Sequence, residues 1–213
     1  MKPLAIDLFC GLGGWTEGLL AEGYDVIGFD IERHEYGDAK YPAQMVIQDV
    51  LTLHGRQFKD AALIVASPPC QAYSYRAMPW KRAKALPPPD NSLFEACFRI
   101  QREAIEAAGH FIPLVVENVR GAQPWVGRAR WNFGSFYLWG DVPAIMPFSN
   151  MKPKRVLDDM KAGVRREYPD CNSRAASLSN KRKALAAICA KIPFPLSRHI
   201  ARTYKPTMME VTK

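Results

Sequence analysis

The sequence predicts an α/β fold in which a mostly parallel sheet carries helices on both faces. Short apolar runs alternate with helical stretches through the first two thirds of the chain, and this alternation is typical of right-handed βαβ units. Five of the apolar runs end in polar or glycine-rich residues. Because the carboxyl ends of parallel strands meet at one edge of a sheet, we expect the functional groups to lie together at that edge.

The individual elements follow from the same patterns. The predicted strands are 4–9, 24–30, 45–49, 62–66, 113–119 and 135–139. The predicted helices are 15–22, 92–108, 181–191 and 196–204. The longest helix repeats apolar residues every three to four positions, has Asp90 or Asn91 as its N-cap and stops at Gly109. Residues 141–175 are rich in Pro, Lys and Arg, so we expect an irregular connection there.

The positive charge is concentrated in the last third of the chain. Residues 1–150 hold 14 Lys and Arg against 16 Asp and Glu, whereas residues 151–213 hold 15 against 5, and the net charge is +8. A basic segment joined to a nearly neutral domain indicates a polyanionic partner, most simply nucleic acid. A solvated tail without a partner is the alternative that charge alone leaves open.

Several classes of protein are disfavoured by composition. Five cysteines without a CxxC pair argue against a disulfide framework and a zinc site, and for a reducing compartment. The chain has no run of about 18 apolar residues, so we expect no membrane span. It enters its first predicted strand almost at once, which leaves no room for a signal peptide. We therefore expect a cytoplasmic protein without a metal.

A cysteine follows the fourth predicted strand in the sequence Ala-Ser-Pro-Pro-Cys-Gln-Ala-Tyr-Ser, which ends at Ser74. The two prolines stop the strand and fix the backbone ahead of Cys70. A lone cysteine is often only a small buried side chain, but the neighbours of Cys70 are polar and a long loop, 73–90, follows it. We expect Cys70 to be a nucleophile and this loop, which carries four basic residues, to be a lid.

The first half of the chain also predicts a cofactor site. The turn Cys10–Gly14 has the spacing GxGG. This differs from the GxGxxG spacing of dinucleotide sites and argues against NAD or FAD as the cofactor. Asp30 ends the second strand and is suited to accept from both ribose hydroxyls, with Ile31 beside a purine ring. Asp49 is suited to accept from an adenine amine, with Val50 on the ring. Together these residues favour S-adenosylmethionine over a cofactor that presents a pyrophosphate.

Three of these stretches resemble motifs of the DNA (cytosine-5)-methyltransferases. They are Asp7–Gly14, Pro68–Ser74 and Glu117–Val119, in the order that the family has them, and the resemblance spans roughly residues 4–140. It implies a Rossmann-like methyltransferase fold, with residues 1–140 as the catalytic domain and residues 141–213 as a basic segment whose terminal helices pack back on it.

The resemblance also implies the chemistry. A methyl group passes from S-adenosylmethionine to C5 of a cytosine that is rotated out of DNA, Cys70 adds to C6, and Glu117 supports protonation at N3. DNA contacts are expected from the basic C-terminal third and from loop 73–90. The implied cofactor-binding residues are Phe9, Gly11, Leu12, Gly13, Gly14, Asp30, Ile31, Asp49, Val50, Pro68 and Leu93. We assign Asp30 rather than Glu32 to the ribose because Asp30 ends the strand.

The chain departs from the family pattern in three places. The Gln-x-Arg-x-Arg motif has its nearest match at Val126–Arg130, without the glutamine, so Arg130 and Arg128 are candidates for contacting the base. The Gly-Asn-Ala-Val-Pro motif is reduced to Cys189–Pro193. No target-recognition domain is apparent in the sequence, and in this the chain resembles the compact, phage-type members. A partner protein is one way to supply the recognition of a DNA sequence. The alternatives are the same chemistry on RNA, a catalytically silent nucleic-acid-binding subunit, and a modified donor.

Overall fold

The computed structural model describes residues 2–74, 85–147 and 180–206, and every structural statement below concerns these ranges. The strands are β1 (Leu4–Leu8), β2 (Asp25–Asp30), β3 (Gln44–Ile47), β4 (Ala61–Ala66), β5 (Leu114–Asn118), β6 (Trp131–Phe133) and β7 (Phe136–Gly140). The helices are α1 (Gly14–Ala21), α2 (Ser92–Ala108), α3 (Gln123–Val126), α4 (Asn180–Ala190) and α5 (Phe194–Thr203).

The strands form one seven-stranded sheet in the order β3-β2-β1-β4-β5-β7-β6. The first five strands in this order are parallel, and β7 runs antiparallel to both β5 and β6. The carboxyl ends of β1, β2, β4 and β5 therefore lie at one edge, with the polar residues that follow them. The predicted α/β fold, Rossmann-like and mostly parallel, is confirmed.

Each face of the sheet carries its own apolar cluster, because successive side chains of a strand point to opposite faces. On one face α2 packs through Phe94, Cys97 and Ile100 against the middle of the sheet. On the other face α1 and α5 pack through Trp15 and Leu196. The two central strands, β4 and β5, are almost wholly buried, which agrees with their continuous apolar sequences.

The C-terminal helix α5 packs directly on α1. A Cβ atom on Gly18 would lie 2.4 Å from the backbone of residues 197 and 198, so glycine permits the close approach of the two helices. At the end of this contact Glu22 accepts a charged hydrogen bond from Arg198 at 2.6 Å, and the Tyr24 hydroxyl donates to the carbonyl of Ala201 at 3.0 Å. The last helix is thus part of the main structural unit.

The predicted elements are found with shifts of at most two residues at their ends, and the longest helix is found with the predicted bounds. The structure adds two short elements that the sequence did not indicate, α3 and the edge strand β6. Neither has enough residues for a period to be recognised, and two of the three residues of β6 are exposed. Much of the predicted lid (75–84) and of the irregular connection (148–175) lies outside the described residues. None of the described helices has the length and apolar composition that crossing a bilayer requires.

Candidate active site

Cys70 lies in a tight turn beyond the carboxyl end of β4. The Cys70 carbonyl accepts hydrogen bonds from the amides of Tyr73 and Ser74 at 2.9 and 3.0 Å, while the preceding Pro68 is buried and Pro69 is exposed. Two prolines and a hydrogen-bonded turn restrict the backbone on both sides of Cys70. The loop therefore presents the half-buried thiol in a fixed place.

The electrostatic surroundings of Cys70 keep the resting group a thiol. Burial raises the pKa of the Cys70 thiol, a hydrogen bond with the Ser74 side chain lowers it, and the negative charge of Glu117 raises it. The last effect disappears when Glu117 is protonated. A neutral Glu117 therefore favours the thiolate, the form of cysteine that acts as a nucleophile.

Glu117 is the fourth residue of β5 and is 9% exposed. Burial raises the pKa of its carboxyl to about 8, and a hydrogen bond from the Ser67 side chain lowers it. A group with this pKa is mostly protonated at neutral pH and still able to release its proton, as an acid–base group near its working pH requires. The sequence predicted the residue, and the structure supplies the reason for its protonation.

The glycine-rich turn after β1 is built around Asp30. Phe9 adopts a left-handed φ of 59°, which is uncommon for a residue with a side chain. Backbone strain of this kind clusters at functional sites. The amide of Gly11 donates to Oδ2 of Asp30 at 2.9 Å. A Cβ atom on Gly13 would lie 2.4 Å from the Pro42 ring, so only glycine lets segment 41–42 close over the turn.

Asp30 is held in a fixed orientation at the end of β2. Its Oδ1 accepts from the amide of Ile31 at 2.8 Å, and the Nε2 atom of His34 lies 3.7 Å from the same oxygen. Asp49 was predicted to end the third strand, but it lies two residues beyond the end of β3. It accepts from the amide of Leu51 at 2.9 Å and so caps a short helical turn. Each carboxylate keeps acceptor capacity for a ligand, because a carboxylate has about four lone-pair positions.

One cavity of about 770 Å³ joins the candidate nucleophile to the candidate cofactor residues. The predicted site residues that line it are Phe9, Gly11, Leu12, Gly14, Asp30, Ile31, Asp49, Val50, Pro68, Cys70, Leu93 and Glu117. Gly13 belongs to the same turn but is buried, and it is not among the lining residues. Arg128 and Arg130 are exposed and are not among them either, so their contact with a base stays a prediction. The turn before β7 contributes Ser135 to the lining, and the first residue of β7 contributes Phe136.

The helix α4 forms another wall of the cavity. Lys183, Ala187 and Ala190 line it, and their spacing of four and three residues places them on one face of the helix. The chain after α4 reaches the cofactor turn, because a Cβ atom on Gly14 would lie 2.4 Å from the amide nitrogen of Ile192. The part of the sequence that departs from the Gly-Asn-Ala-Val-Pro pattern thus still borders the cavity.

The residues at this edge of the sheet fit the predicted adenosine-containing cofactor. The oriented carboxylate of Asp30 can accept from a ribose, and the neighbouring Ile31 side chain is 69% exposed at the cavity surface, where an apolar ring would cover it. Gly11 and Gly14 present bare backbone to the same space. A polar carboxylate beside an uncovered apolar side chain matches a nucleoside, which has a hydroxylated sugar and an apolar base.

Several residues that line the cavity were not predicted from the sequence, among them Trp15, Ser67 and His34. Ser67 is the residue immediately before the two prolines, at the strand end where functional groups were expected, and this position was the available signal. Trp15 and His34 had no such signal, because their approach to the site depends on how α1 and the segment after β2 fold over the sheet edge.

Comparisons with known proteins place these observations in a family. A family model described as C-5 cytosine-specific DNA methylase matches residues 4–123. No curated protein sequence matches the chain significantly.

Solved structures give further likenesses. An Escherichia coli prophage protein assigned as a DNA modification methyltransferase is similar at 22% identity over 57% of this chain and 33% of that chain, with a TM-score of 0.37. The Dnmt2 methyltransferase of S. pombe is similar at 18% identity over 58% of this chain and 36% of that chain, with a TM-score of 0.38. The methyltransferase EhMeth of Entamoeba histolytica is similar at 15% identity over 71% and 57%, with a TM-score of 0.46. The chain spans about a third of the length of the first two proteins.

Proposed function

Because this chain belongs to the C-5 cytosine-specific DNA methylase family, we propose that it methylates C5 of cytosine in DNA through a covalent bond between Cys70 and C6. The observation that carries the proposal is the single cavity lined by Cys70, Glu117 and Asp30. The methyl donor of the family is S-adenosylmethionine, which supplies an electrophilic methyl group when it is bound.

The role of Cys70 follows from the chemistry of the base. C5 of cytosine is a weak nucleophile, but addition of a thiolate to C6 turns the ring into an enamine and raises the electron density at C5. The Sγ–C6 bond forms as the electrons of the C5–C6 double bond move into the ring. After C5 carries the methyl group, loss of the C5 proton and cleavage of the Sγ–C6 bond restore the aromatic ring and release Cys70.

Glu117 is the proton-holding group in this scheme. A proton at N3 of the base neutralises the charge that thiolate addition places on the ring, and the pKa of about 8 of the Glu117 carboxyl suits it to hold that proton. The neutral carboxyl also removes the repulsion that raises the pKa of Cys70. One protonation of Glu117 therefore supports both the attacking thiolate and the attacked ring.

The substrate enters this cavity as a single base. Neither C5 nor C6 can be reached inside a stacked duplex, so the target cytosine must rotate out of the helix. We propose that DNA is bound through the basic segment 141–213 and through loop 73–90, since phosphate contacts come mostly from Lys and Arg. Lys183 belongs to this basic segment, and it lines the cavity in the part of the chain that the structure describes. As part of the same proposal, a partner protein supplies the recognition of the target sequence.

A methyl-transfer assay tests the proposed function. The purified chain is incubated with donor carrying a labelled methyl group and, in separate reactions, with duplex DNA and with transfer RNA. We expect label on C5 of cytosine in DNA and none with Cys70→Ser. Bisulfite sequencing of host DNA from cells that express the chain would then identify the methylated sites. Label on RNA alone would replace the DNA proposal by the RNA alternative, and equal labelling by Cys70→Ser would refute the role of the thiol.

A further inference from the structure

The strand register places a hydroxyl beside the Glu117 carboxyl. Ala66 of β4 pairs with Val116 of β5, so the next residues of the two strands, Ser67 and Glu117, are neighbours across the sheet. Because side chains alternate between the faces of a sheet, Ser67 and Glu117 both point to the face that α1 covers. This is the face of the second apolar cluster.

The helix α1 supplies the third group of this arrangement. Trp15 is 2% exposed, and its indole Nε1–H donates to Oγ of Ser67 at 3.0 Å. An indole nitrogen only donates, and a serine hydroxyl has one proton to give. Since the Ser67 oxygen accepts from Trp15, its proton is available to the Glu117 carboxyl at the neighbouring strand end, and the Ser67 side chain lowers the pKa of that carboxyl.

Resting on the proposed function, we infer that Trp15 and Ser67 are positioning residues that orient the Glu117 carboxyl toward the cytosine through a chain of hydrogen bonds. The three residues all line the cavity, and the chain runs from Trp15 through Ser67 to Glu117. A carboxyl that rotated freely would meet N3 and the exocyclic amine of the base only part of the time. The Ser67 hydroxyl fixes one of its oxygens and leaves the other for the base.

The same chain adjusts the protonation of Glu117. Burial raises its pKa to about 8, and the Ser67 hydroxyl opposes that rise because it donates to the charged form. Loss of the hydroxyl leaves burial unopposed, so the pKa of Glu117 rises further. The carboxyl would then hold its proton more firmly than a group that must exchange it with the base.

Few other ionisable groups act on this carboxyl. The Cys70 thiol lies next to it, and the charge of Glu117 raises the pKa of that thiol. From β1, Asp7 lies on the same face of the sheet. The described lysines that line the cavity are Lys183 and Lys191, and Lys191 is paired with Glu17 at 2.5 Å. A titration in a Cys70→Ser background removes the coupled thiol, so that Glu117 is followed without it.

The test is a carboxyl titration by carbon-13 NMR of chain labelled at its glutamates, with Glu117→Gln to assign the resonance. We expect Ser67→Ala to move the midpoint of Glu117 upward by roughly one pH unit, the effect of one hydrogen bond of about 1–1.5 kcal/mol. Ser67→Thr, which keeps the hydroxyl, is expected to restore the midpoint. Ser135→Ala removes another hydroxyl of the same cavity and is expected to leave it unchanged.

The indole N–H resonance of Trp15 provides a second measurement. We expect its chemical shift to change in Ser67→Ala and to remain that of the wild type in Ser67→Thr. An unchanged Glu117 midpoint in Ser67→Ala would overturn the inference, as would an equal rise in Ser67→Thr or in Ser135→Ala. The titration needs no turnover. Failure of methyl transfer and failure of this hydrogen-bond chain therefore give separate results.

Discussion

The side-chain amide of Asn118 donates a hydrogen bond to the carbonyl oxygen of Pro68 at 2.8 Å. Asn118 is 1% exposed, and its own carbonyl oxygen accepts from the amide of Val119 at 2.8 Å. Glu117 immediately precedes Asn118, and Cys70 follows Pro68 by two residues. This buried bond therefore fixes the loop of the nucleophile against the strand of the acid.

The first prediction concerns this bond. We expect Asn118→Ala to lower kcat by roughly ten- to a hundredfold, because a displacement of about 1 Å between reacting groups has a cost of that order. The KM for the donor should change less than kcat, because Asp30 keeps its own contacts with Gly11 and Ile31 and only Pro68 belongs to both sites. The matched control is Asn132→Ala, at an exposed asparagine whose side-chain amide donates to the Gly134 carbonyl. Steady-state kinetics would contradict the role of Asn118 if both variants kept full kcat.

The second prediction concerns the donor site. We expect Asp30→Ala to weaken the affinity for S-adenosylmethionine by about 1–3 kcal/mol, since a charged hydrogen-bond acceptor is lost and the Gly11 amide loses its partner. The control is Glu32→Ala, which removes the same charge from a side chain that is 63% exposed. Calorimetry measures both. If Glu32→Ala lost more affinity for S-adenosylmethionine than Asp30→Ala, the ribose would be assigned to Glu32 instead of Asp30.

The third prediction concerns stability and pH. Asp7 is 1% exposed, and burial raises the pKa of its carboxyl from 3.8 to about 8. Thr16 donates to Oδ2 of Asp7 at 2.6 Å, while Oδ1 has no hydrogen-bond partner among the described residues. Because the folded state holds this proton more tightly than the unfolded state, folding is favoured at low pH, and that contribution is lost as pH rises from about 4 to about 8.

We therefore expect the free energy of unfolding to fall with pH in this window, with a contribution of at most about 1.4 kcal/mol per pH unit from Asp7. Asp7→Asn should reduce the slope, whereas Asp60→Asn, at an exposed site, should not. Urea unfolding at several pH values between 5 and 9 provides the measurement. Equal slopes for wild type and Asp7→Asn would show that Asp7 is ionised in the folded protein.

The fourth prediction concerns the basic C-terminal segment. We expect replacement of Lys181, Arg182 and Lys183 by Gln to weaken DNA binding, and to flatten its dependence on salt by about 0.9 in the log–log slope for each phosphate contact that is lost. The control variant replaces three exposed basic residues of the main domain, Arg33, Lys59 and Arg102, in the same way. If the two variants change the slope equally, the segment has no special role in holding DNA.

Much of the site can be predicted from the sequence because its reactive side chains lie at the ends of strands, which apolar runs reveal. Cys70, Glu117 and Asp30 each stand at or just beyond the end of an apolar run, and parallel strands bring such ends to one edge. That reasoning needs only the order of strands and helices. It predicts that these three side chains lie at one edge of the sheet, and in the structure they line one cavity there.

The rest depends on packing that no local pattern contains. The bond between Trp15 and Ser67 exists because α1 packs on the face of the sheet to which Ser67 points, and a sequence does not state which face a helix covers. Arg128 and Arg130 precede an edge strand too short to be recognised, whereas Ser135, in the following turn, lines the cavity. The helix α4 brings Lys183 to the cavity that Glu117 lines, although the two residues are more than 60 positions apart in the sequence. Only the tertiary structure brings them together.

The bond between Cys70 and C6 is the centre of this account, and 5-fluorocytosine tests it directly. In DNA that carries this base the fluorine at C5 cannot leave as a proton does, so the enzyme remains attached to the base after methyl transfer. With S-adenosylmethionine present we expect a denaturation-resistant adduct in gels for the wild type and none for Cys70→Ser. Absence of the adduct with both DNA and RNA containing the fluorinated base, or an adduct of equal yield in Cys70→Ser, would contradict covalent catalysis by Cys70.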